Sequence, residues 1–357
     1  MGRWRRLGQV LVWGGGTVGA SALGAIFLRW ALQRIDWGAV NHALAVASVP
    51  HFLSALGLML AAFLLRGVRW RLLFRGARVS TWRLALVENT AVGVNSLSPI
   101  PLLDEPTRVG LLTTQGVPTG TVLATLATMR TFELATQGLI GLVGLVYLPP
   151  LRPLAPYFLA AAVLAVVAIV ALFTLGPLLK SLPALGRLPL ARGFSLGVEV
   201  LRQAPLLTFL SFLATVGYSV LIGLSGWMLG LGFGLQVGLL GLVVLSLVVI
   251  FFTDWLPGLP GAIGTFEFVA LYLLGLWEVD REAAFGYAVL LHALFFVPPL
   301  LVAAFYLPYA GFRSVGAVLQ LARQPWHRMP PATASVGASA PEQPASLNSP
   351  DPGAGRP

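Results

Sequence analysis

Two acid–base pairs stand out in a chain that otherwise avoids charge. Glu105 and Arg130 lie 25 residues apart, and Glu267 and His292 repeat that separation. Each glutamate follows a proline-rich break, and each basic partner sits inside a long apolar run. The first break reads Ser98-Pro99-Ile100-Pro101-Leu102-Leu103-Asp104-Glu105-Pro106-Thr107-Arg108. The second reads Pro257-Gly258-Leu259-Pro260-Gly261-Ala262-Ile263-Gly264-Thr265-Phe266-Glu267. Proline removes a backbone donor, and glycine admits conformations that a helix interior would not. Hydrocarbon cannot satisfy the freed backbone groups, so such breaks survive only packed in protein or lining a wet cavity. The bland alternative is a connecting loop at the membrane surface, with glutamates that serve helix ends and ion pairs. Ionisable groups at membrane depth are costly, which favours a site.

Composition sets the class within which these residues work. The 357-residue chain is 57% hydrophobic and 10% charged, with a mean hydropathy of +0.84. A soluble domain does not have this usage, and several apolar runs reach the length of a membrane-spanning helix. There is no cysteine, which excludes disulfides, thiol catalysis and thiolate metal sites. The four histidines (His42, His51, His292, His327) form no metal-ligand cluster in sequence, and no nucleotide-binding glycine loop follows a strand pattern. No cofactor is implied. The net charge of +10 comes from arginines beside apolar runs, which reads as orientation and anionic-lipid contact rather than nucleic-acid binding.

Taken in order, Arg3, Arg5 and Arg6 precede an apolar run over 10–30, read as an uncleaved first helix. Residues 33–47 read as a short, weakly polar connection. A second run, 48–65, ends in Arg66, Arg69, Arg71, Arg75, Arg78 and Arg83, read as topology and surface anchoring. Residues 84–114 contain Glu88, Asn89 and Asn95 before the first break, and fit two short helices meeting at a turn. In the run 119–148, Arg130 and Glu133 lie three apart, on one helix face and able to pair. After Pro149-Pro150 and Pro153 comes another span, 156–179, and Lys180, Arg187, Arg192 and Arg202 then mark a second cytoplasmic stretch around a Pro/Gly-rich connector. Runs 206–229, 237–255, 266–277 and 282–306 follow, with Arg313, Arg323 and Arg328 inside. The expected fold is an all-α polytopic membrane helix bundle of about eight spans, or six spans plus two re-entrant hairpins. It occupies 1–323, and 324–357 reads as a disordered Pro/Ala/Ser-rich cytoplasmic tail.

The two broken segments repeat one order: apolar helix, proline turn, glutamate, short helix, long span. Charge bias orients 119–148 outward and 282–306 inward, so the units form an inverted internal repeat with broken helices. That pattern places a transporter's site where the breaks meet. Both termini are expected to be cytoplasmic, in a multi-pass protein of the cell membrane.

At these residues the chain resembles the flippase-like family of the lysylphosphatidylglycerol synthase transmembrane region, over about 66–309, as a stand-alone member without a synthase domain. Arg66, Arg69 and Trp70 match its Arg-x-x-Arg-Trp element. Asn95, Pro99, Glu105, Pro106 and Arg108 match its Asn and Glu-Pro-x-x-Arg elements. Arg130 and Glu133 match an Arg-x-x-Asp-like element, and Pro260, Gly261, Gly264 and Glu267 a Pro-Gly-x-x-Gly-x-x-Glu element. Leu103-Asp104 stands where Gly-Gly is usual, Pro101 where arginine is common, and His292 where the second-half arginine is usual.

The resemblance implies translocation, direct or assisted, of a phospholipid or polyprenyl-linked head group between leaflets, with anionic membrane lipids and a lipid-modifying enzyme as partners. Arginine makes forked, charge-assisted bonds to phosphate oxygens. Arg108 and Arg130 are the candidates for that role, with His292 as a weaker, pH-dependent partner. Glu105 and Glu267 would hold those cations ready or receive a cationic head group. An ion-coupled small-solute transporter and a non-catalytic membrane partner of a synthase are the alternatives; an enzyme is not expected.

Overall fold

In the computed structural model, which describes residues 2–74, 79–99, 102–181 and 189–312, every regular element is helical. The helices are α1 (Gly2–Leu32), α2 (Trp37–Val46), α3 (Val49–Leu73), α4 (Thr81–Asn95), α5 (Asp104–Thr113) and α6 (Thr119–Tyr147). They continue as α7 (Ala155–Ser181), α8 (Pro189–Arg202), α9 (Pro205–Gly232), α10 (Leu239–Trp255), α11 (Thr265–Gly275) and α12 (Arg281–Tyr309). Arg75, Arg78, Pro101, Arg187, Arg313, Arg323, Arg328 and the tail 324–357 lie outside the described residues.

Among the described residues, five stretches are long and apolar enough to cross a membrane: Gly15–Leu32, Val49–Leu73, Pro149–Leu172, Pro205–Gly232 and Arg281–Tyr309. At 29 residues α6 also has the length, roughly 43 Å of helix, although Arg130 and Glu133 interrupt it. By contrast α5 has 10 residues and α11 has 11. Each spans only about 15 Å, half of a ~30 Å hydrocarbon layer. Six long helices with two broken hairpins, α4/α5 and α10/α11, therefore describe this bundle better than eight full spans. Its outer faces carry exposed Val163, Val166 and Val170 on α7, and Leu206, Phe209 and Leu213 on α9. Such an apolar surface suits lipid and not water.

Helix pairing repeats between the halves. Helix α3 packs along α9; α4 packs on α12 as α6 packs on α10; α5 leans on α6 as α11 leans on α12. Helix α4 is buried on nearly all sides. The same is true of α10, so both hairpins run through the protein interior.

Two stretches expected to be irregular are helical. Residues 37–46 form α2, because the Asp36 carboxylate accepts from the Gly38 and Ala39 N–H groups and caps it. Residues 189–202 form α8, whose buried Val198 and Leu201 lie on one side while Leu196 on the other is exposed. An apolar stripe of this kind is buried by packing, and α8 lays it against α6 and α7. A larger correction concerns the arginines that end α3. Arg66 and Arg69 are 5% and 1% exposed, so they are interior residues and not surface anchors.

Candidate functional site

The first hairpin is closed by its own polar residues. Asn95, the last residue of α4, accepts from the Leu103 N–H at 2.9 Å and ties the two arms together. The Glu105 N–H donates to the Asp104 carboxylate, and Pro106 falls in the first turn of α5, where its missing N–H costs nothing. Asp104 and Glu105 therefore both point from a helix N-terminus, the favourable end for carboxylates.

Arg130 reaches across from α6 and holds this end. Its Nε donates to Glu105 at 2.6 Å, its Nη1 to Glu133 at 3.0 Å, and its Nη2 to Asp104. Behind it the charges continue into the interior. Arg69 donates to Glu133 at 2.6 Å and lies 3.6 Å from Glu88. Arg108 lies 3.2 Å from Asp104 and 3.9 Å from Glu88. Four carboxylates and three guanidinium groups thus form one connected cluster. Arg130 and Glu105 are each 40% exposed and form its open face, while Glu88 is wholly buried. Arg108 is only 4% exposed and faces inward.

Asp254, which sequence reasoning passed over, and Arg66, which it read as an anchor, belong to the same region. Asp254, at the end of α10, is exposed and lies within electrostatic reach of Arg130, Glu133, Asp104 and Arg66. Arg66 donates to the Tyr218 hydroxyl and sits over the rings of Phe63, Tyr218 and Phe295. Arg69 stacks on the same Tyr218 ring, at 4.8 Å. The aromatic faces partly replace the hydration that these cations lose. The three-residue spacing of Arg66 and Arg69, which puts both on one side of α3, was the available signal for their burial.

The second hairpin has a simpler counterpart. Glu267 accepts from the Gly264 N–H at 2.7 Å, which caps α11. Its other oxygen lies 2.5 Å from His292 Nδ1, and His292 Nε2 lies 2.8 Å from the Gly261 carbonyl oxygen. The 25-residue separation is thus a direct side-chain contact in each half. The imidazole is packed between Phe266 and Phe296. Pro260 opens a 3₁₀ turn, and Gly261 and Gly264 have φ of +75° and +87°, where side chains are disfavoured.

The two tips meet. The Gly258 N–H donates to the Pro99 carbonyl at 3.3 Å, joining the second break to the first. Helix α1 closes over the second tip so tightly that a Cβ at Gly264 would collide with the Gly24 carbonyl oxygen. Gly264→Ala should therefore destabilise the protein by about 2 kcal/mol or more, through backbone strain and this clash, as read by the unfolding midpoint in detergent. An unchanged midpoint would show that the tip can rearrange freely.

A search of curated proteins returns no match. The model of one family, described as Lysylphosphatidylglycerol synthase TM region, matches residues 17–303. The match starts well before residue 66, where the motif resemblance begins, and so takes in α1 and α2. This agrees with the packing, since α1 covers α11 and α2 covers α12. The chain is a multi-pass membrane protein, and it belongs to the lysylphosphatidylglycerol synthase TM region family.

Proposed function

We propose that the protein moves, or assists the movement of, a phospholipid or polyprenyl-linked lipid head group between membrane leaflets, without itself catalysing a covalent reaction. The observation that carries this reading is the half-open charged cluster of Arg130 and Glu105, set where two broken hairpins meet inside an apolar bundle. Polar groups in such a place stabilise something that would otherwise not enter hydrocarbon. Arg130 is the phosphate contact, because it is the cluster's one partly exposed guanidinium among the described residues. Arg108, buried against two carboxylates, positions Asp104 instead. Within the cluster four carboxylates face three arginines. That balance supports a head group which brings positive charge alongside its phosphate. The hairpins enter from opposite leaflets in the cell membrane, with both termini cytoplasmic, and a lipid-modifying enzyme supplies or consumes the lipid.

The test is reconstitution of the purified protein in phosphatidylcholine vesicles carrying acyl-labelled phosphatidylethanolamine or phosphatidylglycerol. Labelled lipid in the inner leaflet should become accessible to an external quencher faster than in protein-free vesicles. Equal rates for both probes with and without protein would sink the proposal.

A further inference from the structure

The two halves close on chemically different latches. Arg130 keeps its proton at any pH met in water, whereas an imidazole does not. His292 Nε2 faces the Gly261 carbonyl oxygen, which can only accept, so Nε2 carries a hydrogen and donates it. The contact of Nδ1 with Glu267 at 2.5 Å then requires one more proton between the two side chains. Written as imidazolium and carboxylate, or as imidazole and carboxylic acid, the pair is neutral and holds one removable proton.

Removal of that proton leaves a single N–H for two acceptors. The imidazole can serve Gly261 or Glu267, but not both. Either loss falls beside the rings of Phe266 and Phe296, where an unpaired polar group is poorly tolerated. Ala262 has a φ of +60°, a left-handed conformation that costs a residue with a Cβ, so the loop stores strain at this position. The same loop reaches the first hairpin through Gly258 and Pro99.

Other ionisable groups on the neighbouring helices are committed elsewhere. Arg29 of α1 and His42 of α2 are exposed. The Glu282 carboxylate accepts from the Asp36 N–H, the Asp36 carboxylate caps α2, and Arg281 donates to the Trp30 carbonyl. On α12 itself, Tyr287 donates to the Gly226 carbonyl oxygen, and the Tyr306 hydroxyl lies 3.5 Å from Gln115. Tyr272 on α11 packs beside Phe268. Glu88 of α4 is bound by Arg69 and Arg108, and Asp254 of α10 is exposed, within electrostatic reach of Arg130. Arg66 of α3 and Tyr218 of α9 bond to each other, and Arg66 meets α12 at Phe295, with Phe296 packed between Phe295 and His292.

We propose that His292 and Glu267 form the binding site of a coupled proton, whose arrival latches the second hairpin and whose departure releases it. The coupling rests on the lipid-translocation reading above; the proton site does not. Vesicles prepared as above, with the interior at pH 6 and the exterior at pH 8, test the coupling. The gradient should shift the steady-state leaflet distribution of the probe lipid by at least about twofold, and a protonophore should abolish the shift. His292→Arg, which cannot release its proton, should give one distribution with and without the gradient. A wild-type distribution indifferent to the gradient overturns the coupling while leaving translocation standing. If no probe moves at all, the lipid reading fails, and ¹⁵N-histidine spectra of the detergent-solubilised protein judge the proton site alone. A ring-nitrogen resonance missing from His292→Gln and shifting between pH 6 and pH 9 supports the site; one that stays fixed overturns it.

Discussion

Vesicles carrying Arg130→Gln should translocate lipid roughly a hundredfold more slowly than wild type, while the protein unfolds at nearly the wild-type midpoint. The first half of this expectation follows from geometry. Arg130 presents its charge at the open face of the cluster and is aimed by three carboxylates at once. Truncating such an aligned, charge-assisted contact costs about 3 kcal/mol, which is the hundredfold. The second half follows from what is left behind. Asp104 keeps Arg108 at 3.2 Å, and Glu133 keeps Arg69 at 2.6 Å. Glu105, partly exposed, can be hydrated. No carboxylate is stranded in the interior, so the change in stability should stay below about 1 kcal/mol, as for a half-exposed ion pair. Translocation at the wild-type rate would remove Arg130 from the site. A collapsed unfolding midpoint would make it a structural residue instead.

Arg69→Leu should do the reverse, with its main effect on folding. Arg69 is 1% exposed and lies between Glu88, which has no exposure, and Glu133. Both Glu88 oxygens lack a hydrogen-bond donor within ordinary reach among the described residues, so Glu88 depends on charge alone. Without Arg69 its nearest cation is Arg108 at 3.9 Å. Breaking a buried ion pair by deleting one partner costs about 3–5 kcal/mol, because the other charge remains desolvated. The sign is decided by the survivor, so adding Glu88→Gln to Arg69→Leu should restore much of the loss. Unfolding midpoints of wild type, single and double variants in one detergent measure this directly. If Arg69→Leu unfolds with the wild-type protein, the cluster contributes nothing to holding α3, α4 and α6 together.

Both arginines pair with Glu133, yet they differ in what their loss exposes. The distinction rests on a few ångströms of burial that no linear pattern records. In the sequence, Arg108 and Arg130 look equally suited to a phosphate. In the fold α5 turns Arg108 inward onto Glu88, and α6 leaves Arg130 at the opening. Asp254 is the counterexample of a residue without local distinction. It ends an apolar run like any interfacial acid, and only the approach of α10 to α6 brings it within electrostatic reach of Arg130.

By itself the sequence determined the helical membrane class, the two breaks, and the 25-residue link between each carboxylate and its basic partner. Charges and prolines are so costly in hydrocarbon that each one left in a span identifies itself. Only the tertiary structure decided which charges face the opening, that Arg66 and Arg69 are interior, and that 37–46 and 189–202 are helices. In a soluble helix the polar face tells inside from outside; in a bundle within lipid both sides are apolar, and that signal is lost. Which way a side chain points is then set by the neighbouring helices that pack against it.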